Sequence, residues 1–215
     1  MNTIDRDLTL AHRLADAADA IALRHFATGC TAWRAKSDGS PVSAADEQIE
    51  LALRARIQRE RPGDAVLGEE FGNSGAGRRR WVIDAVDGTA SFLAGEPEWS
   101  TLIALEDSGG IAAAARITRP ALNWAGPSPT REVIPKPSTG TGTCHGALLV
   151  ATGQLDAFLL LGAGPWDIAP LVPIIQAAGG SYDDLTVGPS TGSVSALFTN
   201  HALRHQILNA SNHGF

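Results

Sequence analysis

The stretch WVIDAVDGTASF, residues 81–92, restricts the fold of this chain more than any other. An apolar run carries the chain to Asp84, a second acid follows at Asp87, and Gly88–Thr89 then open another element. A buried strand ending in two neighbouring carboxylates is tolerable only if a proton, a cation or a hydrogen-bond donor sits between them. Two further segments join apolar residues to acids in the same way, AVLGEE (65–70) and PWDIAP (165–170). In layered α/β folds such junctions line a shared crevice at the ends of the strands.

The remaining sequence supplies the layers. Residues 4–27 predict an amphipathic helix, with Ile4, Leu8, Ala11, Leu14, Ala18, Ile21 and Ala22 at helical spacing. Ser43 with Asp46 three residues later reads as a capping box, Asp replacing the usual Glu or Gln, and opens a second helix over 44–60 that RPGD stops. AVLGEE, RRRWVIDAVDGT, WSTLIAL and IAAAARI predict strands. CHGALLVATGQ then predicts a helix, DAFLLLG a strand, PWDIAPLVPIIQAAGG a helix ending at Gly179–Gly180, SVSALFTN a strand and HALRHQILNA a last helix. Pro173 lies deep in the 165–180 helix, so a kink or split is expected there at a cost of ~3 kcal/mol. The alternation of helices and strands places the chain among layered α/β or α+β domains.

The totals exclude several classes. With 215 residues, 44% of them hydrophobic, the chain can bury a core as one domain or two closely joined ones. No stretch approaches the ~20 apolar residues that span a bilayer, and the acidic, helix-patterned start does not read as a signal peptide. A net charge of −6 without a basic block argues against a nucleic-acid surface, but a bound cation leaves room for a small anionic substrate. Cys30 and Cys144 lack metal spacing and are expected to remain thiols in a reducing cytoplasm. None of the six histidines has ligand spacing, and His201 and His205 fall on the expected terminal helix as surface residues.

Taken singly, Glu69, Asp84, Asp87 and Asp167 are ordinary strand-end or helix-cap acids. Taken together, they would repel unless they converge on a hard divalent cation such as Mg2+, which carboxylate and carbonyl oxygens suit better than His or Cys. Gly88 allows close backbone approach, and N–H groups at the start of a helix there could hold a phosphate oxygen. An acidic cation cluster beside such a helix end outlines a phosphoryl-transfer site.

The ordered segments KSDGSPVSAAD (36–46), LGEE (67–70), WVIDAVDGTASF (81–92), WSTLIALED (99–107), VATGQLDAF (150–158) and PWDIAPLVPIIQAAGG (165–180) resemble the inositol-monophosphatase-like family of Mg-dependent, lithium-sensitive phosphomonoesterases. The neighbourhood of RPGDAVLGEEFG is most similar to its histidinol-phosphatase branch from actinobacteria. The resemblance implies an α+β fold, a layered αβαβα sandwich. It also implies two or three Mg2+ ions: Glu69, Asp84 and the Val86 carbonyl on the first, and Asp84, Asp87 and Asp167 on the second. Thr89 with Glu69 would position and activate the attacking water, the Gly88 and Thr89 amides would hold the phosphate, and Glu70, Lys36, Asp38 and Asp46 would border the site.

The chain departs from the family pattern in three ways. Ala85 stands where proline is usual, Ser43 where threonine is usual, and the chain is several tens of residues shorter than most relatives. The loss falls between NWAG (123–126) and GTGTCHG (140–146), where PSPTREVIPKPST replaces family elements and a Pro/Gly/Ser/Thr-rich linker is expected. The expected organisation is an N-terminal α+β half (1–126) with the GEE and DxxDGT motifs, a shortened linker (127–143), and a reduced C-terminal α/β half (144–215) with Asp167. The leading expectation is a cytoplasmic, homodimeric phosphatase for a small phosphomonoester such as histidinol phosphate, inositol monophosphate or a related sugar or cyclitol phosphate. The alternative is a catalytically weak or inactive relative that binds a phosphorylated ligand or a protein partner, since a shortened second half could leave the pocket too open to orient a substrate.

Overall fold

A computed structural model describes residues 3–29, 31–107, 110–118, 142–186 and 194–205, with 111–118 as backbone only. The first helix, α1 (Thr3–Thr28), buries Leu10, Leu14, Ala18, Ile21 and Ala22 on one stripe. A short hairpin, β1 (Trp33–Ala35) and β2 (Pro41–Ser43), leads into α2 (Ala44–Glu60). The capping box expected at Ser43 is present: its hydroxyl accepts from the Ala45 and Asp46 amides, and the Asp46 carboxylate takes the Ser43 amide. Next come β3 (Ala65–Gly68), β4 (Gly72–Ser74), β5 (Arg80–Asp87), α3 (Thr89–Ala94), β6 (Ser100–Asp107) and β7 (Gly110–Thr118). The second half carries α4 (Cys144–Ala151), β8 (Ala157–Ala163), α5 (Pro165–Ile168), α6 (Leu171–Ala177), β9 (Gly180–Asp184) and β10 (Val194–Asn200).

A five-stranded sheet in the order β4-β3-β5-β6-β7 forms the first half, with β3 and β5 parallel. Strand alternation sends Trp81, Ile83 and Ala85 of β5 and Ile103 and Leu105 of β6 into one cluster with α1 and α2. Val82 and Ala104 face the other way, against Ala169 beyond α5. Leu102 joins residues of α4, α6, β8 and β10 in one core, so these helices lie between the first sheet and the three-stranded sheet β8-β10-β9. The described residues thus build helices, sheet, helices, sheet in succession. Among them, no helix is long and apolar enough to cross a membrane.

The long helix expected over 165–180 is two helices, and the break falls at Ala169–Pro170 rather than at Pro173. The split places Pro173 third in α6, within the first turn, where an N–H has no intrahelical acceptor to lose. The hairpin β1–β2 and the short strands β4 and β9 are not foreshadowed by any sequence pattern. Most of the expected linker, Cys30 and most of the expected terminal helix lie outside the described residues; His201 and His205 are exposed.

Candidate active site

The site forms where β3 and β5 end side by side. Gly68 pairs with Ile83, so the parallel register brings Glu69 next to Asp84. Asp84 and Asp87 are three residues apart, and in a regular strand they would point to opposite faces. The β5–β6 ladder slips between them, with Asp84 opposite Leu102 and Asp87 opposite Ser100. This bulge re-aims Asp87. With Asp167 from α5, the two offer oxygens that all lie within 4.8 Å of one another.

The geometry is electrostatically demanding. Asp84 and Asp87 are 2% and 3% exposed, and Asp84 Oδ1 accepts no hydrogen bond among the described residues. Burial and the charges of Glu69, Asp87, Asp167 and Asp46 push the Asp84 carboxyl well above its ordinary range. Burial and the neighbouring Asp87 push Asp167 up to about 8, against the Gly164 amide at 2.7 Å that lowers it. Asp87 instead accepts from the Thr143 and Cys144 amides and from the Ser100 and Thr143 hydroxyls.

Glu69, Asp46 and their partners lie beside this cluster, whereas Asp38 does not reach it. Glu69 lies off it, its Oε1 accepting from Lys36 Nζ at 2.7 Å, while Lys36 also donates to Glu70 at 2.7 Å. Burial disfavours the Lys36 charge, but the two glutamates outweigh it and hold the pKa above the ordinary lysine value; burial pushes Glu70 up to about 7. Thr89 opens α3 with its hydroxyl 3.0 Å from both Asp46 Oδ1 and the Val86 carbonyl oxygen. Gly88 before it takes φ 89°, and a Cβ there would lie 2.7 Å from the Glu98 carbonyl, so glycine is required twice over. Asp38 is exposed and caps its own turn, accepting from the Ser40 amide and hydroxyl.

Some contributors are not evident from sequence. Glu50, fully buried on α2, holds the GEE turn by accepting from the Glu70 and Phe71 amides, and its carboxylate fills the space a Cβ on Gly68 would need. Its one signal is an acid beside Ile49 on the apolar stripe of a helix. Ser100, Thr143 and Cys144 have no such signal, because their contacts with Asp87 span 13 residues or more of sequence.

The layered sheet-and-helix arrangement matches solved structures. An inositol monophosphatase from Zymomonas mobilis aligns with a TM-score of 0.73 at 28% identity, covering 98% of this chain and 99% of that one. The fold is therefore the layered sandwich of the inositol monophosphatases. The model of the inositol monophosphatase family matches residues 4–125 and 129–213, and the chain belongs to that family of phosphomonoester hydrolases. It is 33% identical over 253 residues to the histidinol-phosphatase of Streptomyces coelicolor, covering 94% of this chain and 95% of that protein. It is also 37% identical over 232 residues to a Streptomyces griseus protein named glucose-1-phosphate thymidylyltransferase, covering 87% and 89%. Both alignments are longer than the 215-residue chain, so gaps fall on its side.

Proposed function

We propose that this phosphatase is a divalent-cation-dependent enzyme that hydrolyses a small phosphomonoester, histidinol phosphate or inositol monophosphate being the leading substrates. The single observation that carries this reading is the buried carboxylate triad, in which Asp84 Oδ1 has no donor facing it among the described residues. Three acids this close, two of them driven toward protonation, form a donor set of oxygens alone, which fits Mg2+. Asp84, Asp87 and Asp167 would hold the cation, with Glu69 and the Val86 carbonyl completing a second position once Lys36 yields Glu69. Bound there, such cations would make water more acidic and offset charge on the phosphate and the leaving oxygen.

The chain's own residues supply the rest. Thr89, donating toward Asp46 or Val86, keeps lone pairs that can take a proton from an incoming water, and Asp46 stands behind it as the acceptor. Burial raises the proton affinity of Asp46, which suits that role. The Gly88 and Thr89 amides would meet the phosphate oxygens.

Two names among the relatives point to different leaving groups, so the assay panel holds histidinol phosphate, inositol 1-phosphate and glucose 1-phosphate. Phosphate release should require Mg2+ and fall about a hundredfold or more in Asp84→Asn, since even residues behind a metal's ligands cost 10–100-fold when lost. A folded, Mg2+-binding protein that releases nothing from any of them would favour a ligand-binding role instead. The reading includes a homodimer, because among the described residues β8 is an edge strand with two exposed leucines.

A further inference from the structure

The three clustered carboxylates differ in how much of their bonding capacity the protein already uses, a difference whose functional meaning rests on the cation reading proposed above. An ionised carboxylate offers about four lone-pair directions. Asp84 Oδ1 uses none among the described residues. Asp167 accepts from the Gly164 amide, and the Thr143 hydroxyl, 3.4 Å away, reaches it only as an alternative to Asp87. Asp87 is the most occupied: Oδ1 takes the Thr143 amide at 2.5 Å and Oδ2 the Cys144 amide at 2.9 Å, while the Thr143 hydroxyl at 3.0 Å from Oδ1 has one proton to share between Asp87 and Asp167, and the Ser100 hydroxyl at 3.3 Å from Oδ2 also meets Cys144 Sγ.

Three of those four donors come from the turn that begins α4. This helix has no side-chain cap of its own at Thr143, so Asp87 serves as its cap from across the fold. The leading N–H groups of a helix carry partial positive charge, and here they stand where a cation would balance the acid. The turn fits tightly: a Cβ on Gly142 would lie 2.7 Å from Asp87 Oδ2, and one on Gly88 would lie 3.0 Å from the Gly142 nitrogen.

We propose that the Gly142–Cys144 turn is a built-in cover over Asp87, standing in for the cation and releasing the carboxylate only when Asp87 becomes a ligand. Asp84 and Asp167 are open to a first cation in the folded chain as it stands. Asp87 joins only when the N terminus of α4 moves. Because Gly142 also lies against Gly88, the same movement uncovers the amides that would meet the phosphate, so full cation loading and opening of the phosphate site are one event.

Amide hydrogen exchange on the full chain, resolved at Thr143 and Cys144, reads the two covering bonds directly, with calorimetry counting bound ions in the same samples. In EDTA both amides should exchange slowly. Saturating Mg2+, or Mn2+ in a parallel series, should speed both about tenfold or more, the scale of losing a charge-assisted hydrogen bond, while β5 and β6 amides slow. Protection that persists or deepens at saturation, with one ion bound or two, overturns the proposal. Calorimetry that detects no ion at all overturns the cation reading as well, and so separates the two failures. Gly142→Ala drives a methyl into Asp87 and should leave both amides fast before any cation is added, with less than about a twofold response to Mg2+. If that variant keeps β5 and β6 protected yet exchanges at Thr143 and Cys144 like the parent, the cover is not held as described; if it does not fold, the parent measurement decides alone.

Discussion

Asp84 and Asp167 are the residues on which charge is hardest to hold. In the cation-free protein the Asp167 carboxyl keeps its proton up to about pH 8, and Asp84 is shifted in the same direction, whereas an unfolded aspartate releases its proton near the ordinary value of 3.8. Between those limits the native state binds more protons than the unfolded chain, so stability falls as pH rises. Below the unfolded value the contribution is fully present; above about pH 8 it is lost. In EDTA the melting temperature should therefore drop from pH 5 to pH 8, by about 2–4 °C for each kcal/mol of penalty in a chain this size. Asp167→Asn, neutral at every pH, should flatten the slope, and Mg2+ should restore stability at pH 8 far more than at pH 5. Melts that ignore pH in EDTA would mean the cluster is not strained. At this scale the acids themselves are legible from the way apolar runs meet them. Their hydrogen-bond partners are not, because Thr143 and Cys144 reach Asp87 only through the tertiary fold.

Elements with a strong period and a clear stop, such as α1, α2 and β5, are where the sequence predicts them. The helix over 165–180 is instead two, because its apolar period runs on through Ala169–Pro170 and hides the break. Periodicity alone does not say that Pro173 begins a helix rather than interrupting one. The difference has a consequence in stability. Pro173→Ala should change the unfolding free energy by less than about 1 kcal/mol in urea titration, since the N–H it restores has no acceptor within the helix. Gln176→Pro, three positions on, should cost about 3 kcal/mol or more, because it removes a helical bond and meets the carbonyl of the preceding turn. Equal costs at the two positions would place the start of α6 elsewhere. Short β1, β2, β4 and β9 leave no mark in the sequence because three to five residues carry too little pattern to register.

Across the whole molecule, the site is a seam: Asp84 and Asp87 belong to the first sheet, and Asp167 follows a strand of the second. The order of motifs along the chain announces the seam, but not how the second half finishes its surface. Among the described residues that half has a three-stranded sheet in which β8 pairs only with β10. On the outward face of β8, Leu159 and Leu161 are 43% and 68% exposed, beside a strand edge that no described strand pairs. An apolar edge strand of this kind invites another chain, and a second copy of the same surface, paired about a two-fold axis, would cover both at once. Sedimentation equilibrium should accordingly give twice the mass of the chain. Leu161→Glu puts a charge on that edge and should shift the protein to monomers with its cation binding unchanged, because the triad's hydrogen bonds run to Ser100, Thr143, Cys144 and Gly164 and not to Leu161. A monomeric parent would remove the homodimer from the functional reading, whereas a dimer that survives Leu161→Glu would move its interface away from β8.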